Sequence, residues 1–136
     1  MKAERLGERL YGAVRWGDLR PVRSLLQAKA SVDYRGPKFR NTPLMDAASH
    51  GYLSVARVLI AAGADVDACD KFGMSAMHHA AKAGQLPIVR LLLAAGAAHS
   101  LVNKAGKTPL DLGGTDAAVV VVFEELAKAD DAKHLI

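Results

Sequence analysis

The chain is predicted to fold as an all-α solenoid of about four helix-turn-helix repeats, with projecting β-turn fingers and degenerate terminal repeats. Three observations predict this. Half of the residues are hydrophobic but only 5% are aromatic and alanine is abundant, which suits small-residue helical packing better than a β-sandwich. The sequence matches itself when displaced by 33 residues. Glycine and hydroxyl residues recur at fixed places in that period, where helices would stop and start. A period of this length means stacked supersecondary units, none able to bury its apolar face alone.

The registration runs through most of the chain. NTPLMDAASHG (41–51) lies over MSAMHHAAKAG (74–84), and KTPLDLGG (107–114) follows one period on. LIAAGADVDACDKFG (59–73) lies over LLLAAGAAHSLVNKAG (91–106). WGDLRPVRSLLQAKASVD (16–33) matches HGYLSVARVLIAAGADVD (50–67) at an offset of 34, so one extra residue sits in the Tyr34–Pro37 loop. The units are expected near residues 5–36, 37–69, 70–102 and 103–130 of a single domain, whose length suffices for a real core.

Taken in order, the elements have physical causes. The first unit carries its second helix in the 16–33 segment. In the second unit Thr42 offers an N-cap hydroxyl and Pro43 occupies the first helical position, where a missing N–H costs nothing. That helix should run to Gly51, suited to a left-handed terminus. A second helix follows on Leu53, Val55, Val58, Leu59 and Ile60 and ends at Gly63. The third unit repeats this with Ser75 as cap, Gly84 as stop, then Leu86, Ile88, Leu91, Leu92 and Leu93 up to Gly96. Segments such as Ala64–Gly73 form extended turns projecting from the stack. Thr108 and Pro109 open the fourth unit. The tail DAAVVVVFEELAKADD (116–131) is read as the last second helix with Asp116 as its cap, although four consecutive valines disfavour a helix.

These features resemble the ankyrin-repeat family. Its T-P-L-H-x-A pattern appears as T42-P43-L44-M45-D46-A47, S75-A76-M77-H78-H79-A80 and T108-P109-L110-D111-L112-G113, and the following G-x-L…V…LL…GA-D-V-x is nearly intact at Gly51–Asp67. The match covers about residues 6–112. It departs at the ends, with Leu10-Tyr11-Gly12-Ala13 in the first unit and Gly113-Gly114 replacing paired alanines in the last. Atypical ends are expected of capping repeats.

The resemblance makes His78 the family's structural histidine, a scaffold residue rather than a chemical one. His79 stands where the family has an apolar residue, and its counterpart one unit earlier is Asp46. Helical spacing puts His79, Lys82 and Ala83 on one stripe and Asp46, Ser49 and His50 on another. Lining one groove, these would make a polar cluster of Asp46, His50 and His79. Two histidines and a carboxylate form a known ligand set, but no phosphate loop, HExxH or nucleophile elbow accompanies them. No catalytic residue, metal or cofactor is expected. Cys69 lies between Asp67 and Asp70, a poor setting for a reactive thiolate.

The family holds partners with its turn tips and the groove edge of its first helices. Carried onto this chain, the resemblance implies tips at Lys38, Phe39 and Asn41, at Lys71, Phe72 and Met74, and at Lys104, Ala105 and Lys107. It implies groove edges at Arg15 and Trp16, Ser49 and His50, Lys82 and Ala83, and Thr115 and Asp116. Trp16, Phe39, Phe72 and Met74 are expected to be exposed, interleaved with Arg15, Lys38, Arg40, Lys71, Lys82, Lys104 and Lys107. Trp16 could instead cover the N-terminal core, with Gly12 leaving room beneath it, and the lysines could be an ordinary solvated face. Arg40 occupies a turn position that is glycine later, which predicts a different shape for the first finger.

The expected function is therefore non-enzymatic: binding another protein that offers acidic and apolar anchors, as an adaptor or an inhibitor by occlusion, from a chain expected to be monomeric. The alternative uses the charge asymmetry. Residues 1–40 hold ten Lys/Arg against four Asp/Glu, and the remainder totals −2. A basic N-terminal half could bind nucleic acid, the less favoured partner, or an anionic lipid surface. Apolar runs such as Ala117–Phe123 are far short of a bilayer span, and charges at Lys2, Glu4, Arg5, Glu8 and Arg9 break up any signal-peptide core. The single cysteine suits a reducing intracellular compartment. An initial Met fits a complete stand-alone protein as well as one module of a longer one.

Overall fold

The computed structural model describes residues 2–113 and 116–134. Its helices come in four consecutive pairs: α1 (Lys2–Val14) with α2 (Leu19–Gln27), α3 (Pro43–His50) with α4 (Leu53–Ala61), α5 (Ala76–Lys82) with α6 (Leu86–Ala94), and α7 (Pro109–Gly113) with α8 (Ala117–His134). The first helices pack in an inner row, α1 on α3 on α5 on α7, and the second helices in an outer row, α2 on α4 on α6 on α8. Among the described residues the only β feature is an isolated bridge between Cys69 and Ser75. The all-α solenoid of about four repeats is the fold that the period predicts.

Capping explains where the inner helices start. The Thr42 hydroxyl accepts the N–H of Met45, and the Thr42 N–H points back to the Met45 sulfur. Ser75 does the same with His78, whose ring nitrogen takes the place of the usual acidic side chain. Thr108 accepts from Asp111 N–H while the Asp111 carboxylate accepts from Thr108 N–H. In the first pair Asp18 caps α2 by accepting the Arg20 N–H. Gly51 closes α3 in the left-handed conformation at φ +77°.

The core lies between the rows. Leu10, Val14, Leu44, Met45, Met77, Val55, Leu59, Ile88 and Leu92 are fully enclosed, with Ala47, Ala48, Ala80 and Ala81 allowing the inner helices to approach closely. The valine run does form a helix. Val119, Val122 and Phe123 are buried against the stack, and Val121, Glu124, Glu125 and Lys128 face outward. Burial thus outweighs the modest helix penalty of β-branched residues. Asp116 caps α8 by accepting Ala118 N–H, whereas Thr115 and Gly114 lie outside the described residues. Gly113, which departs from the paired-alanine pattern, is a packing necessity. A Cβ there would sit 2.7 Å from Val119 and 3.0 Å from the Ala81 carbonyl.

The fingers are joined into a ladder. Lys71 N–H donates to the Phe39 carbonyl at 2.8 Å, and Lys104 N–H donates to the Phe72 carbonyl at 3.0 Å. Within the second finger the Asp70 carboxylate accepts the N–H groups of Phe72 and Met74. Asn103 does this for Ala105 and Lys107 in the third. The first finger does differ in length, closing from Gly36 to Asn41 where the later ones close from Asp70 to Met74 and from Asn103 to Lys107, but its turn residue keeps the common conformation. Arg40 takes φ +58°, the same left-handed conformation as Gly73 (+74°) and Gly106 (+75°). The ladder and the Gly36 to Asn41 hydrogen bond impose the shape on a residue that resists it.

Candidate partner-binding groove

A groove of about 520 Å³ opens between the fingers and the inner helices. Helix α1 contributes Tyr11 and the turn that follows it Arg15, α3 contributes Asp46, and α5 contributes His79 and Lys82. The fingers contribute Phe39, Asn41, Asp70, Phe72 and Met74. Eight of these ten residues are sites that the sequence singles out; Tyr11 and Asp70 are not.

Phe39 and Phe72 are 41% and 49% exposed, and their rings face each other at 5.8 Å. The backbone ladder sets this spacing, because each aromatic sits at the same place in successive fingers. Lys38 lies over the Phe39 ring at 5.1 Å. Met74 is a correction to the sequence reading: it is only 9% exposed. Its position is at the base of the finger rather than the tip, and the Asn103 side chain donates to its sulfur at 3.2 Å. It floors the groove beneath the two rings.

The polar cluster is also rearranged. His79 Nε2–H donates to the Asp70 carboxylate at 3.0 Å, and the Ser49 hydroxyl lies 3.3 Å from His79 Nδ1. Asp70 is buried and also holds two backbone N–H groups, so it fixes both the finger and the histidine. Asp46 is bound to the first finger instead, through Asn41 Nδ2 at 2.8 Å, and Tyr11 donates to the Asn41 oxygen. His50 turns away. Its Nδ1 reaches the Asp46 backbone carbonyl, and its ring stacks on Tyr52 at 5.3 Å. The predicted trio of Asp46, His50 and His79 is therefore not one cluster. Helical periodicity places residues on a face but does not choose their partners across it. Among the described residues no group of three or more potential ligands could hold a metal. Asp70 was legible only as the first residue of a D-x-x-G turn, where an Asp binds the backbone two residues on.

Burial pushes the Asp46 carboxyl up from its usual range, against the opposing hydrogen bond from Asn41 and the charge of Arg15. Its Oδ2 is buried with no hydrogen-bond partner. Burial also raises the Cys69 thiol, helped by Asp70, which fits the expectation of an unreactive cysteine. His78 is wholly buried. Its Nδ1 accepts Ser75 N–H, and its Nε2–H donates to the Lys107 carbonyl at 2.9 Å, so it ties the second finger's helix to the third finger.

The remaining candidates divide by place. Trp16 is 85% exposed and covers no core; the space beside Gly12 is empty. With Arg15, Gly12 and His50 it lines a second depression at the N-terminal end of the inner row. Arg40, Lys71, Lys104 and Lys107 are exposed on the fingers, outside the groove itself. Ser49 lines neither depression and is a hydrogen-bond partner of His79.

Two family profiles, both described as ankyrin repeats, match the chain: one of three copies over residues 44–115 and one of many copies over residues 10–60. Protein phosphatase 1 regulatory subunit 12A of Rattus norvegicus is 34% identical over 116 residues, 85% of this chain and 11% of that protein. Ankyrin repeat and KH domain-containing protein 1 of Homo sapiens is 55% identical over 47 residues, 35% of this chain and 2% of its own length. A probable E3 ubiquitin-protein ligase, XBOS33, of Oryza sativa subsp. japonica is 38% identical over 74 residues, 54% of this chain and 14% of its length. The chain thus spans about a tenth of the first of these relatives. The capped inner helices, the laddered fingers and the profile matches agree, and the chain belongs to the ankyrin-repeat family.

Proposed function

We propose that this chain is a non-enzymatic binding module that holds a protein partner with its finger aromatics and the groove behind them. The observation that carries this reading is the pair Phe39 and Phe72. Two large rings are held half-exposed, 5.8 Å apart, on a backbone ladder that fixes them before any partner arrives. Burying an aromatic of this size is worth roughly 1.5–3 kcal/mol, and preformed anchors lose little entropy on binding. Exposed Lys38, Arg40, Lys71 and Lys82 surround the rings, which suits a partner with carboxylates near its apolar anchors. The chain Ser49–His79–Asp70 serves to hold a finger on a helix. The matched domains supply no catalytic unit.

The partner would be held in place or occluded, as an adaptor or an inhibitor does. Among the described residues no helix is long and apolar enough to cross a membrane, and the free Cys69 suits a reducing compartment. A second reading has its own observation: Arg5, Arg9, Arg20 and Arg23 are exposed on the first helix pair and could meet nucleic acid or an anionic lipid surface. The experiment is cross-linking capture from native extract with wild type and Phe39→Ala/Phe72→Ala. Loss of the recovered proteins in the variant supports the aromatic surface. Identical recovery from both ends that reading.

A further inference from the structure

The two ends of the groove carry unpaired positive charge. Arg15 and Lys82 occupy the same register position at the ends of α1 and α5, with Ser49 of α3 between them. Both are exposed groove residues. The ion pairs in direct contact among the described residues are Arg20 with Asp18 and His79 with Asp70; Arg15 and Lys82 touch no carboxylate, although the charge of Arg15 acts on Asp46. Of the groove's two carboxylates, Asp70 is occupied by two backbone N–H groups and His79, and Asp46 accepts from Asn41. On the finger side the groove offers an apolar slot, formed by the Phe39 and Phe72 rings with Met74, while Asp46 and His79 line the helix side.

The stack fixes the distance. Helices α1 and α5 each pack on α3, and packed helix axes lie about 8–10 Å apart, which sets Arg15 and Lys82 about 16–20 Å apart along the groove. An extended chain advances about 3.3 Å per residue, so about five or six residues bridge them. Binding is therefore a matter of spacing as well as charge.

We propose that the groove is a recognition site for an extended acidic protein segment, with two carboxylates about six residues apart on Arg15 and Lys82 and one large apolar side chain between them on Phe39 and Phe72. This rests on the reading of the chain as a protein-binding module and specifies the chemistry of its partner. A nucleic acid would meet the same cations with evenly spaced phosphates and gain little from one apolar slot.

The test uses fluorescence anisotropy at about 150 mM salt, where long-range attraction is screened. The probe is a short labelled peptide of serine and glycine carrying two aspartates about six positions apart and one phenylalanine between them on the same side. Saturable binding is expected. Replacing the phenylalanine, removing either aspartate, or closing the spacing to about three residues should each weaken it about five-fold or more. Arg15→Glu and Lys82→Glu should each have a similar effect, while Arg90→Glu, exposed on α6 in the outer row, should have none. A probe with lysines in place of both aspartates should bind the Arg15→Glu/Lys82→Glu variant better than wild type, a gain that misfolding could not produce. The proposal is overturned if the acidic probe binds that variant as well as wild type or if spacing is immaterial. It is equally overturned if an oligonucleotide of equal charge competes as well, or if no saturation occurs up to about 1 mM. Failure here, with cellular capture still dependent on Phe39 and Phe72, removes the acidic subsite and leaves the binding module standing.

Discussion

Arg40 holds φ +58° at a finger position where the next two repeats have glycine. A side chain in this conformation costs roughly 1–2 kcal/mol, and part of that is recovered because glycine would be freer in the unfolded chain. Arg40→Gly should therefore stabilise the protein by about 0.5–1 kcal/mol, read as a higher urea midpoint with unchanged slope. No change, or a loss, would mean that the Arg40 side chain makes a compensating contact. Asp46 gives a second test at this scale. Its carboxyl is raised by burial, so the folded state binds its proton more tightly than the unfolded state does. Stability from this group is complete at acid pH and is lost as pH rises from the ordinary carboxylate range through the raised value. Relative to Asp46→Asn, which cannot titrate, the wild type should lose stability over that window. A stability difference that is flat with pH would contradict the burial of Asp46. The sequence showed Asp46 to be an unusual polar residue in an apolar place. It did not show that Asn41 would hold it, or that Tyr11 would reach across from the first repeat to Asn41, because side-chain rotamers decide those contacts.

The inner helices and the fingers behave as one element repeated, and His78 is its fastener. It caps its own helix through Ser75 and reaches the Lys107 carbonyl of the next finger. His78→Ala leaves Ser75 N–H without its ring partner and the Lys107 carbonyl without a donor in a buried setting. The cost should be about 2–4 kcal/mol, the sum of lost hydrogen bonds and a cavity, measured by chemical denaturation. A cost under about 1 kcal/mol would mean that the third finger is held elsewhere. The scaffold role of His78 is legible in the sequence through the resemblance, since His78 falls on the family's structural histidine. The ladder from Lys71 to Phe39 and from Lys104 to Phe72 is not. It is made of backbone groups, which leave no mark in residue identity. The burial of Met74 escaped for a related reason. Its counterparts Asn41 and Lys107 are polar, so register alone placed it with the exposed tips, while the finger's own hairpin closes that position.

At the scale of the whole molecule, the period sets almost everything about the stack. One contact repeats with it: Asp33 accepts Asp65 N–H, and one period later Asp67 accepts Ala98 N–H. The first and second repeats thus each dock on the next through a carboxylate as well as through the alanine-lined core. The period also brings Phe39 beside Phe72 and sets Arg15, Ser49 and Lys82 in line, so the candidate surface is a consequence of translation along the stack. The third finger breaks the aromatic series with Ala105, which confines the ring pair to the first two fingers. What the period could not supply was the choice between this surface and the exposed arginines of the first helix pair. The decisive measurement is the affinity for a captured partner at low and at physiological salt, compared among wild type, Phe72→Ala and Arg9→Ala/Arg23→Ala. Phe72→Ala should weaken binding about ten-fold or more at both salts, and the arginine variant should stay within about two-fold. A steep fall of wild-type affinity with salt, loss in the arginine variant and retention in Phe72→Ala would contradict it, and would move the binding site to the basic end.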